Sequence, residues 1–140
     1  MKIVSELMSR ELVTLTEAEE LSRAEGLLQQ RRIRHLPVVR AGKLVGLITH
    51  RDLLRVCATR GAAAQSVRAG DVMNREVQTV APDTPLREAV QRMLVAKYGC
   101  LPVTLPDGTL VGLLTEADLV RYAGALIAEL DRRSEARSYD

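Results

Sequence analysis

The chain has 140 residues, of which 46% are apolar and 27% charged, with a formal net charge of +2. That length suits one domain or two small halves sharing a core, the near balance of charge argues against a polyanionic partner, and three tyrosines with no Trp or Phe argue against the aromatic platforms on which single-stranded nucleic acid stacks. No apolar stretch approaches the ~20 residues that span a bilayer, no signal-peptide pattern leads the chain, and Cys57 and Cys100 show no metal spacing; the expectation is a cytoplasmic protein, off the membrane, with two buried thiols.

A short helical turn is expected over residues 5–8 and a strand over 12–15. Thr16-Glu17-Ala18-Glu19 then fits a capping box, and Leu21, Ala24 and Leu28 continue at helical spacing. The basic run Arg31-Arg32-Ile33-Arg34-His35 suits a helix C-terminus on dipole grounds; a phosphate-facing edge and a nucleic-acid patch are the other readings. Strands over 36–40 and 43–49 flank Ala41-Gly42, a hairpin signal. A helix from residue 50 to about 60 stops at Gly61, and the Ala- and Gly-rich residues 61–68 read as a linker.

The order then repeats. Thr84 is expected to cap a helix with Pro85 in its first position, where the missing N–H costs nothing. Leu86, Ala89, Val90, Met93 and Leu94 form its apolar face. Strands over 101–105 and 109–115 flank Pro106-Asp107-Gly108. The closing helix, from 116 to about 133, carries Leu119, Ala123, Leu126, Ile127 and Leu130 on one stripe, more than one repeat needs, and is a candidate oligomer contact. Residues 134–140 read as a polar, frayed tail. Four segments result: a first repeat over 1–60, the linker over 61–68, a second repeat over 69–133, and the tail.

The duplication is detailed. Gly46-Leu47-Ile48-Thr49-His50-Arg51-Asp52 returns as Gly112-Leu113-Leu114-Thr115-Glu116-Ala117-Asp118, and Leu36-Pro37-Val38 returns as Leu101-Pro102-Val103. Thr14 and Thr79 correspond, as do Met8 and Met73, both read as core plugs. A half of ~65 residues is marginal alone, so the halves should bury their apolar faces against each other.

At a strand-to-helix junction, Gly-apolar-apolar-Thr-x-x-Asp has two readings. Thr and Asp three residues apart are close to a capping box in their own right. The same geometry offers free helix amides to a phosphate and a carboxylate to the vicinal diol of a ribose. Glycine within a strand suggests a close approach by backbone or ligand, which makes Gly46 and Gly112 lean towards a site.

The two copies resemble a tandem pair of cystathionine-β-synthase (CBS) domains, a Bateman module. The resemblance rests on R-H-L-P-V-V with L-V-G-L-I-T-H-R-D-L-L in the first copy, and C-L-P-V-T with L-V-G-L-L-T-E-A-D-L-V in the second. It implies a mixed α/β fold of two β-α-β-β-α repeats, packed through their sheets about a pseudo-two-fold axis, with two clefts for adenosine-containing ligands. It implies further that Asp52 and Asp118 hold ribose hydroxyls and that Thr49 and Thr115 contact ribose or phosphate. Backbone near Val13-Thr14 and Gln78-Thr79 would read the adenine edge, with Leu36-Pro37 and Leu101-Pro102 lining the base pocket. His35 reads as a polar rim residue of that site, and a homodimer with four repeats in a flat disk is implied as well.

The copies diverge where His50-Arg51 is replaced by Glu116-Ala117, so the first site should tolerate more phosphate charge, with Arg51 as the anion partner. The leading reading is a regulatory module that needs no cofactor, binds AMP, ADP or ATP, and modulates an unidentified partner protein. NAD and S-adenosylmethionine are alternatives within the family. The competing reading is a ligand-free scaffold with vestigial clefts. An enzyme is disfavoured, since no nucleophile, base and orienting group can be assembled.

Overall fold

The computed structural model describes residues 1–31 and 33–138; Arg32 of the basic run and the last two tail residues lie outside them. The first half contains α1 (Leu21–Arg31), β1 (His35–Arg40), β2 (Lys43–Thr49) and α2 (His50–Arg60). A 3-10 turn (Gly61–Ser66) and the short α3 (Ala69–Val72) occupy the stretch expected as linker and the start of the second repeat. The second half supplies α4 (Leu86–Ala96), β3 (Cys100–Thr104), β4 (Leu110–Thr115) and α5 (Glu116–Ser138).

Each half is built on an antiparallel hairpin. In the first, His35 pairs with Thr49 and Arg40 with Lys43, so the turn is the two residues Ala41 and Gly42. Both have positive φ, 51° and 80°, the backbone whose twist matches that of the strands it joins. In the second, Cys100 pairs with Thr115 and Thr104 with Leu110, and Gly108 takes the left-handed φ of 92°. Bulges fall at equivalent places, after Val38 and after Val103.

Several expectations change in detail. The strand expected at 12–15 shrinks to one bridge, in which Leu15 N–H donates to the Pro37 carbonyl at 3.0 Å and the Leu15 carbonyl accepts from Val39 at 2.8 Å. Thr16 does not cap α1. Its N–H and hydroxyl both reach Glu19 Oε1, at 3.3 and 3.4 Å, closing a separate turn before the helix starts at Leu21. Thr84 likewise turns back to accept the Ala81 N–H at 3.0 Å, and Pro85, with ψ of 133°, is the N-cap rather than the first helical residue. Leu94 is 70% exposed and leaves the buried face of α4. The closing helix runs on through Ser138, so most of the expected frayed tail is helical. Cys57 is exposed, not buried; Cys100 is buried, and burial, with the Glu116 charge second, pushes its thiol up to about 12.

The halves interlock by exchange. Ser9 N–H donates to the Leu113 carbonyl at 2.8 Å and Leu113 N–H returns to Ser9 at 3.0 Å. Leu47 and Asn74 make the equivalent pair at 3.0 and 2.9 Å. Each half's leading turn therefore extends the other half's sheet. Met73 and Ala69 join the core of Leu15, Leu21, Leu36 and Ile48, while Met8 and Val4 join that of Leu86, Ala89, Leu101 and Leu114. Between the sheets, Leu47, Cys100 and Leu113 form a third apolar cluster. By this exchange each marginal half completes its core with the other's leading segment.

It also accounts for the strand glycines. A Cβ on Gly112 would lie 2.4 Å from Met8 Sδ, and one on Gly46 would lie 2.4 Å from Met73 Sδ and 3.1 Å from the Asn74 carbonyl. The close approach at these glycines is made by methionine and backbone, not by the ligand that the sequence suggested.

Candidate functional site

The two Thr-x-x-Asp motifs occupy strand-to-helix corners. At the first, Thr49 Oγ1 accepts the Asp52 N–H at 3.1 Å, and Asp52 Oδ2 accepts the Thr49 N–H at 3.0 Å. At the second, Thr115 Oγ1 accepts the Asp118 N–H at 3.3 Å, and Asp118 Oδ2 accepts from the Thr115 N–H and hydroxyl at 2.8 and 3.0 Å. Both motifs are complete capping boxes. The Asp52 side chain keeps 24% of its surface exposed, whereas that of Asp118 keeps 3%.

A cleft of about 920 Å³ opens at the first corner and straddles both halves. Thr49, His50 and Arg51 border it from the start of α2, and Arg34 and His35 from the entrance of β1. Leu28, Ile33, Leu53 and Leu54 give it an apolar wall, and Lys97, Gly99 and Glu116 close it from the second half. Arg34, Arg51 and Lys97 line it with Glu25 and Glu116, three cations to two carboxylates, while Asp52 sits between the lining residues Arg51 and Leu53 without lining the cleft itself. Cys57 also borders the cleft.

His35 sits across the boundary. A Cβ at position 99 would stand 3.0 Å from its Nε2, so Gly99 leaves the ring its space. Burial lowers the His35 pKa below its ordinary 6.5 and the Arg34 charge adds to that, while Glu116 and Asp52 act in the opposite sense. Without ligand the imidazole therefore favours its neutral form.

Other candidate residues lie elsewhere. Val13 and Thr14 are half-buried and do not border the 920 Å³ cleft. Thr79 lines a separate hollow of about 230 Å³ with Arg75, Val77 and Thr104, and Gln78 is exposed. Leu36, Pro37, Leu101 and Pro102 are fully buried in the hairpin cores. Sequence reasoning passed over Lys97, Gly99, Ser9 and Arg121. Arg121 had a visible signal, since it follows Asp118 at the spacing by which Arg55 follows Asp52. Among the described residues no cluster of metal ligands occurs, and no helix is long and apolar enough to cross a membrane.

The sequence pattern of the CBS domain matches twice, over residues 4–59 and 69–125, and the chain belongs to the CBS-domain family as a tandem pair. Its fold is that of solved CBS pairs. A protein assigned to acetoin utilization (AcuB) from Vibrio cholerae superposes with a TM-score of 0.85 at 34% identity, covering 94% of this chain and 97% of that one. CBSX2, solved in complex with AMP, superposes at 0.81 with 27% identity, covering 90% and 98%. The CBS domain pair of protein MJ0100, solved with 5′-methylthioadenosine and S-adenosyl-L-methionine, superposes at 0.79 with 26% identity, covering 89% and 97%. The curated relatives matched are longer proteins, and the chain spans 23% of one and 47% of another.

Proposed function

We propose that this CBS pair is a regulatory module that binds an adenine nucleotide in the cleft at the Thr49–Asp52 corner and thereby modulates a partner protein. The cleft itself carries the reading: about 920 Å³, bordered by cations and by Thr49, Arg51 and Leu53, which flank the partly exposed Asp52, and shared by both repeats. Asp52 would accept from the ribose diol with the oxygen that its capping bond leaves open. Thr49 and the first amides of α2 would meet the phosphate end, with Arg51, Arg34 and Lys97 supplying charge. Relatives solved with AMP and with S-adenosyl-L-methionine support an adenosine-containing ligand.

Binding is favoured over catalysis because no nucleophile with a positioned base is assembled among the described residues bordering the cleft. Two free thiols, one of them exposed, suit a reducing compartment such as the cytoplasm. A homodimer is part of the proposal. On α5, Val120, Leu126, Ile127 and Leu130 are 48–69% exposed, an apolar stripe suited to a second copy.

One observation favours the competing reading of a ligand-free scaffold: both Thr-x-x-Asp pairs complete their caps internally. Thermal unfolding with AMP, ADP, ATP, NAD and S-adenosylmethionine at ~1 mM separates the two. A ligand held at about 100 times its Kd stabilises by about 2.7 kcal/mol, so a rise of several degrees with an adenine nucleotide is expected; no rise with any of the five supports the scaffold. Within the nucleotide series, Arg51→Ala should weaken ATP more than AMP. Equal losses for both would remove Arg51 from the phosphate role.

A further inference from the structure

The two corners share Thr, Asp and a following Arg, yet their carboxylates are in different states. Asp118 has both oxygens engaged. Oδ2 is held by Thr115, while Oδ1 accepts the Ser9 hydroxyl at 2.9 Å and the Arg121 guanidinium at 2.6 Å. At the first corner, Arg55 stands in the place of Arg121 but lies 3.9 Å from Asp52 Oδ1. The position matching Ser9 is Asn74, and its side-chain oxygen is turned away to accept the Glu76 N–H at 3.0 Å.

Ser9 cannot drift from its place. The exchange of backbone bonds with Leu113 fixes it against β4, at 2.8 and 3.0 Å, just as Asn74 is fixed against β2. A one-residue difference between the leading turns therefore decides whether the neighbouring carboxylate is completed from within. An oxygen whose two lone-pair positions are both taken, one of them by a cation, must give one up before it can accept a ribose hydroxyl.

We infer that Ser9 and Arg121 clasp the second corner shut, so that the chain takes one adenine nucleotide, at the Asp52 corner, and the Asp118 corner is inactive until the clasp is removed. This rests on the nucleotide reading above and adds to it a stoichiometry and a cause. Arg121, with 69% of its side chain exposed, is the removable half of the clasp; Ser9 is the fixed half.

The test is calorimetric titration with AMP of the full chain and three variants. Wild type should bind one AMP per chain, with any second site at least tenfold weaker, and Asp52→Ala should weaken that binding roughly 10- to 150-fold. In the Asp52→Ala background, adding Arg121→Ala should restore one AMP per chain, and adding Ser9→Asn should do so independently. Regained binding cannot come from misfolding. Two equal sites in wild type would overturn the inference and leave the nucleotide reading standing; retained binding in Asp52→Ala would overturn the inference together with the role of Asp52 as ribose acceptor. Failure of both added substitutions to restore a site would overturn the clasp. Absence of heat from wild type and every variant would overturn the nucleotide reading and this inference with it.

Discussion

Asp52→Ala removes a carboxylate with one oxygen committed and one open, and the two should report on different measurements. Oδ2 holds the Thr49 N–H at 3.0 Å; losing that half of the capping box, and a negative charge in the first turn of α2, costs about 0.5–1 kcal/mol of stability. For a chain of 140 residues this lowers Tm by roughly 2–4 °C. The open oxygen, with Arg55 at 3.9 Å, is the proposed ribose acceptor. Hydrogen bonds to a charged group contribute about 1.5–3 kcal/mol, which raises Kd for AMP roughly 10- to 150-fold. Asp52→Asn keeps an acceptor without the charge and should fall between wild type and alanine. Titration calorimetry gives the affinity, and thermal unfolding without ligand gives the cap. A variant that loses the few degrees yet binds AMP within twofold of wild type would show that Asp52 is a cap alone.

Three further predictions address the fold. Gly112→Ala and Gly46→Ala should each destabilise by about 1–3 kcal/mol through overpacking, but only Gly112→Ala should be relieved by trimming its methionine, with Met8→Ala, because Gly46 also faces the Asn74 carbonyl; equal relief by Met73→Ala, read as urea midpoints, would contradict this. Because the folded His35 pKa lies below 6.5, the unfolded chain binds more protons as pH falls through that value, so His35 contributes a loss of stability on acidification from 7.5 to 5.5. His35→Gln should lack that component, and an unchanged pH profile would refute it. With its thiol raised to about 12, Cys100 should resist iodoacetamide in the native protein at pH 8 while exposed Cys57 is modified; mass spectrometry showing both labelled at equal rates would disagree.

What could be read from the sequence was what local chemistry dictates. The Ala41-Gly42 turn set the register of its hairpin, and Gly61 ended α2 at the expected residue because a backbone with φ of 58° follows it. The duplicated corner was visible as a repeat, and Thr49 and Thr115 close their caps as that pattern implies. The departures came from partners distant in sequence. Gly46 suggested a ligand because Met73 could not be seen to arrive there, and the Ser9 hydroxyl reaches Asp118 across 109 positions. Thr16 and Thr84 look like helix caps in their local strings, yet each closes a turn whose carbonyls accept from the other half: Glu17 and Glu19 from Gly70 and Ala69, Pro82 and Thr84 from Ser5 and Val4. Lys97 and Gly99 border the cleft only because the halves interlock; neither belongs to a recognisable motif.

The central claim, that a nucleotide enters at the Thr49–Asp52 corner, is tested most directly by mapping backbone amide shifts in the intact protein during a titration with AMP. Saturable changes gathered at Arg34, Thr49 to Arg51, Leu53, Lys97, Gly99 and Glu116, all at this cleft, are the predicted result. Amides that stay put there, or changes confined to the outer face of α5, would contradict it.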